Sequence, residues 1–274
     1  MNPDLPVVLG LAGGYATGKT STANALAPKG RILQPGQKHD MNIFWDHFYF
    51  AMPLYRMASA ARDMQGPQSL DRLKYEVHNT LIEAFNGNPL YGAPGYAELV
   101  SMVEGIAHIP VPEEAKPREF LQKVGTDIGR AYDPDIWVKW MRREVMQKFT
   151  AFQWEHRELD PCCDHDCGNP ALDSVPPRYG VVLSDCRFDN EVGFVNSFEN
   201  SVMIKFTAED DRVSELDGKR GNTTMTPEQA GHASEKGLTS VDDSAYDAII
   251  DISSLDLEQQ VAATKQVVRD KLGV

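Results

Sequence analysis

Hydrophobic and polar positions along this chain switch between a strand period and a helix period, and the switches mark out its elements. Val7-Val8-Leu9-Gly10-Leu11-Ala12 is an unbroken apolar run of strand length, and beyond a glycine-rich turn Ser21-Thr22-Ala23-Asn24-Ala25-Leu26 opens a helix. Pro28 to Gln37 reads as loop. Ile43 to Phe50, rich in aromatic residues, suits a buried strand, and a helix from Pro53 carries Leu54, Met57 and Ala58 inward. Leu70, Leu73, Val77, Leu81 and Ile82 predict a helix over Ser69 to Phe85, with Ser69 as its cap; Gly87 to Gly95 is loop and Tyr96 to Ile106 a further helix. Over Pro117 to Tyr132, Phe120, Leu121, Val124 and Ile128 form one apolar stripe, while Arg118, Gln122, Thr126 and Arg130 follow at steps of four on the other side. Asp133-Pro134-Asp135 interrupts, and Ile136 to Phe149 resumes as a helix with Trp137, Trp140 and Met141 inward. Gln153 to Arg178 reads as a surface loop, Tyr179 to Leu183 as a buried strand with Ser184-Asp185-Cys186-Arg187 directly after it, and Ser201 to Phe206 as another strand. Thr207 to Glu235 is the most polar stretch and resembles a mobile flap; Ala245 to Ile252 is a last short strand, and Leu257 to Leu272 an amphipathic closing helix.

Strands alternating with helices give an α/β fold around a parallel sheet. At 274 residues the chain suits a single domain with insertions. Nothing approaches eighteen consecutive apolar residues and no basic segment leads into a long apolar one near the N-terminus, so neither a membrane span nor a signal peptide is expected. The reading is cytoplasmic. A formal net charge of −13 disfavours stable nucleic-acid binding but leaves a small anionic substrate open, since a few arginines in a cleft override the global sign. Cys162, Cys163 and Cys167 crowd around His165, which raises a zinc site; adjacent cysteines do not follow the usual knuckle spacing and no second pair follows, so incidental thiols in a loop are favoured.

Gly13-Gly14-Tyr15-Ala16-Thr17-Gly18-Lys19-Thr20 satisfies G-x-x-x-x-G-K-[ST] between a strand and a helix, the context this phosphate-cradling P-loop needs. Gly13 and Gly18 let the backbone curl so that successive N–H groups converge on an anion at a positive helix end. The binding set for a nucleotide such as ATP is Gly13, Gly14, Ala16, Thr17, Gly18, Lys19, Thr20 and Ser21, with Lys19 on the β/γ-phosphates and the Thr20 hydroxyl on Mg²⁺. The row Arg118, Gln122, Thr126, Arg130 is either a cleft wall that grips phosphate and base or an ordinary solvated face. Asp185 and Arg187, at the carboxyl end of a strand, fall where chemistry gathers in an open α/β sheet; Asp185 is read as a support for the Mg²⁺ shell, directly or through water, or for the acceptor, and turn formation is its structural alternative.

Taken together these motifs resemble the deoxynucleoside monophosphate kinases of tailed phages, within the P-loop nucleotide-kinase superfamily. The likeness rests on the P-loop, Ala51-x-Pro53-Leu54, Arg118-x-x-x-Gln122-x-x-Gly125-Thr126-Asp127 through Trp137-Val138, Asp185-x-Arg187-Phe188-x-Asn190-Glu191, His232-x-Ser234-Glu235 and Tyr246-Asp247-x-Ile249-Ile250, in the family's order and over nearly the whole chain. It implies a three-layer sandwich with core segments at about 5–52, 117–150, 179–206 and 245–274, a helical monophosphate-binding insertion at about 53–116, a surface insertion at about 153–178 and a lid at about 207–236. The implied reaction moves the ATP γ-phosphoryl group to a dNMP, including modified-base ones, giving dNDP and ADP. In it Lys19, Arg187, Asp185 and Arg130 carry the chemistry, and Arg56, Arg118, Gln122, Thr126, Arg130, Asp185, Arg187 and Glu191 meet the substrate. Where relatives commonly carry Lys after Pro-Leu this chain has Tyr55 and then Arg56, and where they end the last strand in Asn it has Asp251. A kinase acting on modified bases in DNA and a non-catalytic nucleotide-binding replication partner are the alternatives. A homodimer is the assembly expected by default.

Overall fold

A computed structural model describes residues 2, 4–14, 16–28, 40–62, 75, 118–131, 133–157, 178–209 and 241–274. In chain order these form β1 (Val7–Gly13), α1 (Lys19–Leu26), β2 (Ile43–Phe48), α2 (Met52–Arg62), α3 (Arg118–Gln122) running on as a π-helix over Lys123–Arg130, α4 (Ile136–Arg157), β3 (Arg178–Cys186), α5 (Asp189–Asn196), β4 (Ser201–Thr207), β5 (Ala248–Asp251) and α6 (Leu257–Leu272). The strands make one five-stranded sheet, all parallel, in the order β2-β3-β1-β4-β5.

β1 lies at the centre of that order and every one of its residues is buried, which explains an apolar run with no polar alternation. Its side chains still alternate between two cores. Val8 and Ala12 pack with residues of α2, α3, α4 and α5, and Val7, Leu9 and Leu11 with residues of α1 and α6. The sheet is thus flanked by helices on both faces, as its parallel strands require. β1 carries the glycine-rich turn at its carboxyl end, so both halves of the molecule meet where the turn begins.

Several element boundaries differ from those the sequence predicts. α4 runs to Arg157, past Phe149 and into the stretch read as loop from Gln153, because Phe152 extends the inward stripe and packs on Phe44 and Tyr179 with ring centroids 5.7 and 5.4 Å away. β2 ends at Phe48, not Phe50: the Phe50 and Ala51 amides bind the Asp185 carboxylate, at 2.7 and 3.2 Å. β3 runs through Ser184 and Asp185 to Cys186, and the last strand shortens to Ala248–Asp251 after a 3₁₀ turn at Asp243–Ala245. The helix expected over 117–132 is α-helical only to Gln122.

The helices expected at 69–85, with the exception of Tyr75, and at 96–106, the cysteine cluster at 162–167 and the flap at 210–235 with His232, Ser234 and Glu235 lie outside the described residues. Among the described residues no helix is long and apolar enough to cross a membrane.

Candidate functional site

At the carboxyl ends of the central strands lies a cavity of about 560 Å³, within the range of small-molecule sites. One wall is the glycine-rich turn, and it contributes Ala16, Thr17, Gly18, Lys19, Thr20 and Ser21. The turn depends on left-handed backbone: φ is +141° at Gly13 and +74° at Gly18, which caps α1. A β-carbon at Gly13 would fall 2.5 Å from the Phe206 carbonyl oxygen, so glycine there answers both conformation and space. Lys19 is buried in the first turn of α1, its ammonium donating to the Gly13 and Gly14 carbonyls at 2.9 and 2.6 Å and to Thr17 Oγ1 at 3.2 Å. A cation folded over the loop's own carbonyls, at a helix N-terminus, is the arrangement that favours an incoming polyanion. Gly13 and Gly14 are not among the lining residues; they hold the turn and receive Lys19.

A second wall comes from β3 and α5, with Ser184, Asp185, Arg187, Phe188 and Glu191. Asp185 spends both carboxylate oxygens on the Phe50 and Ala51 amides, so it fastens the entry to α2 while still lining the cleft. Glu191 is almost wholly buried. Its Oε2 accepts from the amides of Arg187 and Phe188 at 2.6 and 3.2 Å, capping α5, and its Oε1 receives the Arg130 guanidinium. Burial outweighs Arg130 here and, with Asp185 nearby, pushes the Glu191 carboxyl up to about 7. Arg130 also donates to Pro134 O at 3.0 Å and Asn190 Oδ1 at 3.2 Å and stacks on Phe188, 3.8 Å from the ring centroid. Both residues expected to meet substrate are therefore also tied into this internal network, which braces the wall.

The third wall is the π-helix. Its i→i+5 bonds widen the turn, so a step of four falls slightly short of a full turn instead of slightly past it. Gln122, Thr126 and Arg130 all line the cleft, and Phe120, Leu121, Val124 and Ile128 are buried as the apolar stripe demands. Of the row's fourth member, Arg118, only the backbone is described, at the start of α3. Arg56 is not brought to the cleft. It is exposed on α2 with its guanidinium 5.4 Å from the Trp140 ring centroid, and Tyr55 lines the cavity in its place, beside Tyr49, Phe50 and Leu54. The shift follows from helical phase, since Leu54, Met57 and Ala58 must face the core. Asp251 ends β5 and accepts from the amide and hydroxyl of Ser253, bonds that hold its carboxyl below the usual range.

Oxygen donors suited to Mg²⁺ stand on two walls, the Thr20 hydroxyl and the Asp185 carboxylate, and among the described residues no group of three or more His, Cys, Asp or Glu gathers as a cation cage. That donor set fits an ion held mainly by phosphates and water, with one or two protein oxygens. Two features carry no sequence signal. Gln260 of α6 is buried and donates to the Thr17 carbonyl at 3.1 Å, and His47 of β2 reaches Ser184; both contacts depend on packing and strand register that no local pattern displays. No protein-family model matches the chain, and a search of curated proteins finds no match.

Proposed function

We propose that the chain is a cytoplasmic deoxynucleoside monophosphate kinase of the P-loop type. In this reading it transfers the γ-phosphoryl group of ATP to a dNMP, with 53–116 as the monophosphate-binding insertion and 207–236 as the lid. One observation carries the reading: a single cleft joins the phosphate-binding turn, Ala16 to Ser21, to the polar row Gln122, Thr126 and Arg130 and to Asp185 and Arg187. Two anionic ligands need such an arrangement, a donor cradled by backbone amides and an acceptor facing it across the cleft. Phosphoryl transfer asks little covalent chemistry of a protein; it asks for positioning and for charge neutralisation around the moving group.

In this mechanism Lys19 leaves the Gly13 and Gly14 carbonyls for the β/γ-phosphates of ATP and follows the charge as it moves. Thr20 would hold the Mg²⁺ that accompanies ATP, and Asp185 would support it, directly or through water. Arg187 stands between donor and acceptor. Gln122, Thr126 and Arg118 receive the monophosphate nucleotide, and the aromatic side chains Tyr49, Tyr55 and Phe50 give its base an apolar flank.

The test is a panel of dNMPs, modified bases included, incubated with ATP and Mg²⁺. ADP release with at least one of them is expected, and turnover with none rejects the reading. Labelled phosphate on duplex DNA and not on free dNMP would make it a DNA-base kinase; tight ATP binding without transfer to any acceptor would make it a non-catalytic partner. Lys19→Ala is expected to lower kcat by about 10²–10³-fold, the usual loss when one preorganised charge is removed from the transition state.

A further inference from the structure

β1 and β3 fall out of step beside the cleft. Gly10 pairs with Leu183 but Ala12 with Cys186, so β3 carries one residue more than β1 over this stretch. Leu183 and Cys186 accordingly point into the same core, which strict alternation forbids, and the bulge between them releases two adjacent side chains, Ser184 and Asp185, to the cavity. Asp185 turns toward α2, where the Phe50 and Ala51 amides take it. Ser184 turns toward β2 and α1, where its Oγ lies 2.6 Å from His47 Nε2. The other ring nitrogen, Nδ1, lies 2.9 Å from Asn24 Oδ1, one turn beyond Thr20 along α1. A carbonyl oxygen can only accept, so in the neutral ring Nδ1 carries the proton, Nε2 is left as an acceptor, and the Ser184 hydroxyl donates its hydrogen to it. The lone pairs of Ser184 Oγ are what remain for the cleft. They repel a phosphate oxygen and attract a donor.

We propose that Ser184, aimed by the bulge and polarised by the positioning residue His47, accepts from the water shell of the divalent cation that travels with a nucleoside triphosphate. The inference rests on the nucleotide-kinase reading of the same cleft, and gives that cation a contact from the α1 side that Asp185, committed to α2, does not supply.

Calorimetric titration of the full chain with ATP, with and without Mg²⁺, tests it on the wild type, Ser184→Ala, Ser184→Thr and His47→Ala. Ser184→Ala and His47→Ala are expected to weaken Mg²⁺·ATP about tenfold, as loss of one hydrogen bond would, with metal-free ATP binding unchanged and Ser184→Thr close to wild type. Equal loss with and without metal, or no loss, overturns the proposal while leaving the kinase reading intact. A wild-type protein that binds no ATP overturns both, and is recognised because it needs no variant. A second measurement needs no nucleotide: in ¹⁵N-histidine spectra the resonance that disappears in His47→Ala should show the proton on Nδ1, and a proton on Nε2 rejects the polarity argued for Ser184.

Discussion

Glu191 shows how one side chain sets both stability and pH response. Its carboxyl is drawn up to about 7 by burial, against an ordinary value of 4.5, so between those pH values the folded protein holds a proton that the unfolded chain has released. Folding is then favoured on the acid side, and this contribution is lost as pH rises through 7; the slope has the sign of fewer protons bound in the unfolded state. Urea unfolding at pH 5 and pH 7.5 should show the wild type losing on the order of 2–3 kcal/mol relative to Glu191→Gln, which has no such proton to release. An unchanged difference between the two proteins at both pH values would show that Arg130 holds the carboxylate ionised throughout. Cys186 lies beside this network, fully buried, and its thiol is pushed well above the normal range by desolvation, so it is expected to resist alkylation in the folded protein.

The π-helix owes its stability to neighbours outside itself. Trp137 of α4 donates its indole N–H to the Gly125 carbonyl at 2.8 Å, and Gly129 lets the same ring approach so closely that a β-carbon there would meet Trp137 Cζ2 at 2.5 Å. Gly129→Ala is expected to cost about 1–3 kcal/mol by overpacking, and to lower turnover by displacing Thr126 and Arg130, measured as a shift in urea midpoint alongside kcat. The apolar stripe from Phe120 to Ile128 was legible in the sequence because a step of four stays on one face in either helix, slightly past a full turn in α and slightly short of one in π. The change of period was not, since it depends on an indole from another helix. In the same way the glycine-rich turn and β1 were legible from local residues alone, whereas the row Gln122, Thr126, Arg130 was visible as a row but its facing the cleft and not solvent was not. The bulge at Ser184-Asp185 was not, because it is a mismatch between two strands far apart in the chain. Arg56, expected at the substrate from the resemblance, does not line the cleft, because the helical phase that turns Leu54, Met57 and Ala58 to the core gives that place to Tyr55.

Charge is a property of the whole molecule. If the cleft takes nucleotides as proposed, local cations such as Lys19 and Arg187 favour binding against a net charge of −13 that disfavours polyphosphate. No retention on heparin and no shift of duplex DNA are expected at about 0.15 M salt, where surface fields reach only about 8 Å; retention would favour the DNA-base kinase. The chain is also drawn together across its full length. Gln260 and the Thr17 carbonyl are 243 residues apart in sequence, and the Gln260 amide fills the space over Gly18 that any β-carbon would occupy. A ribosome makes β1 and the glycine-rich turn well before α6, so the turn is without this brace until α6 has been made. If the turn holds ATP as proposed, ATP affinity would then separate chains that contain α6 from fragments that stop short of it.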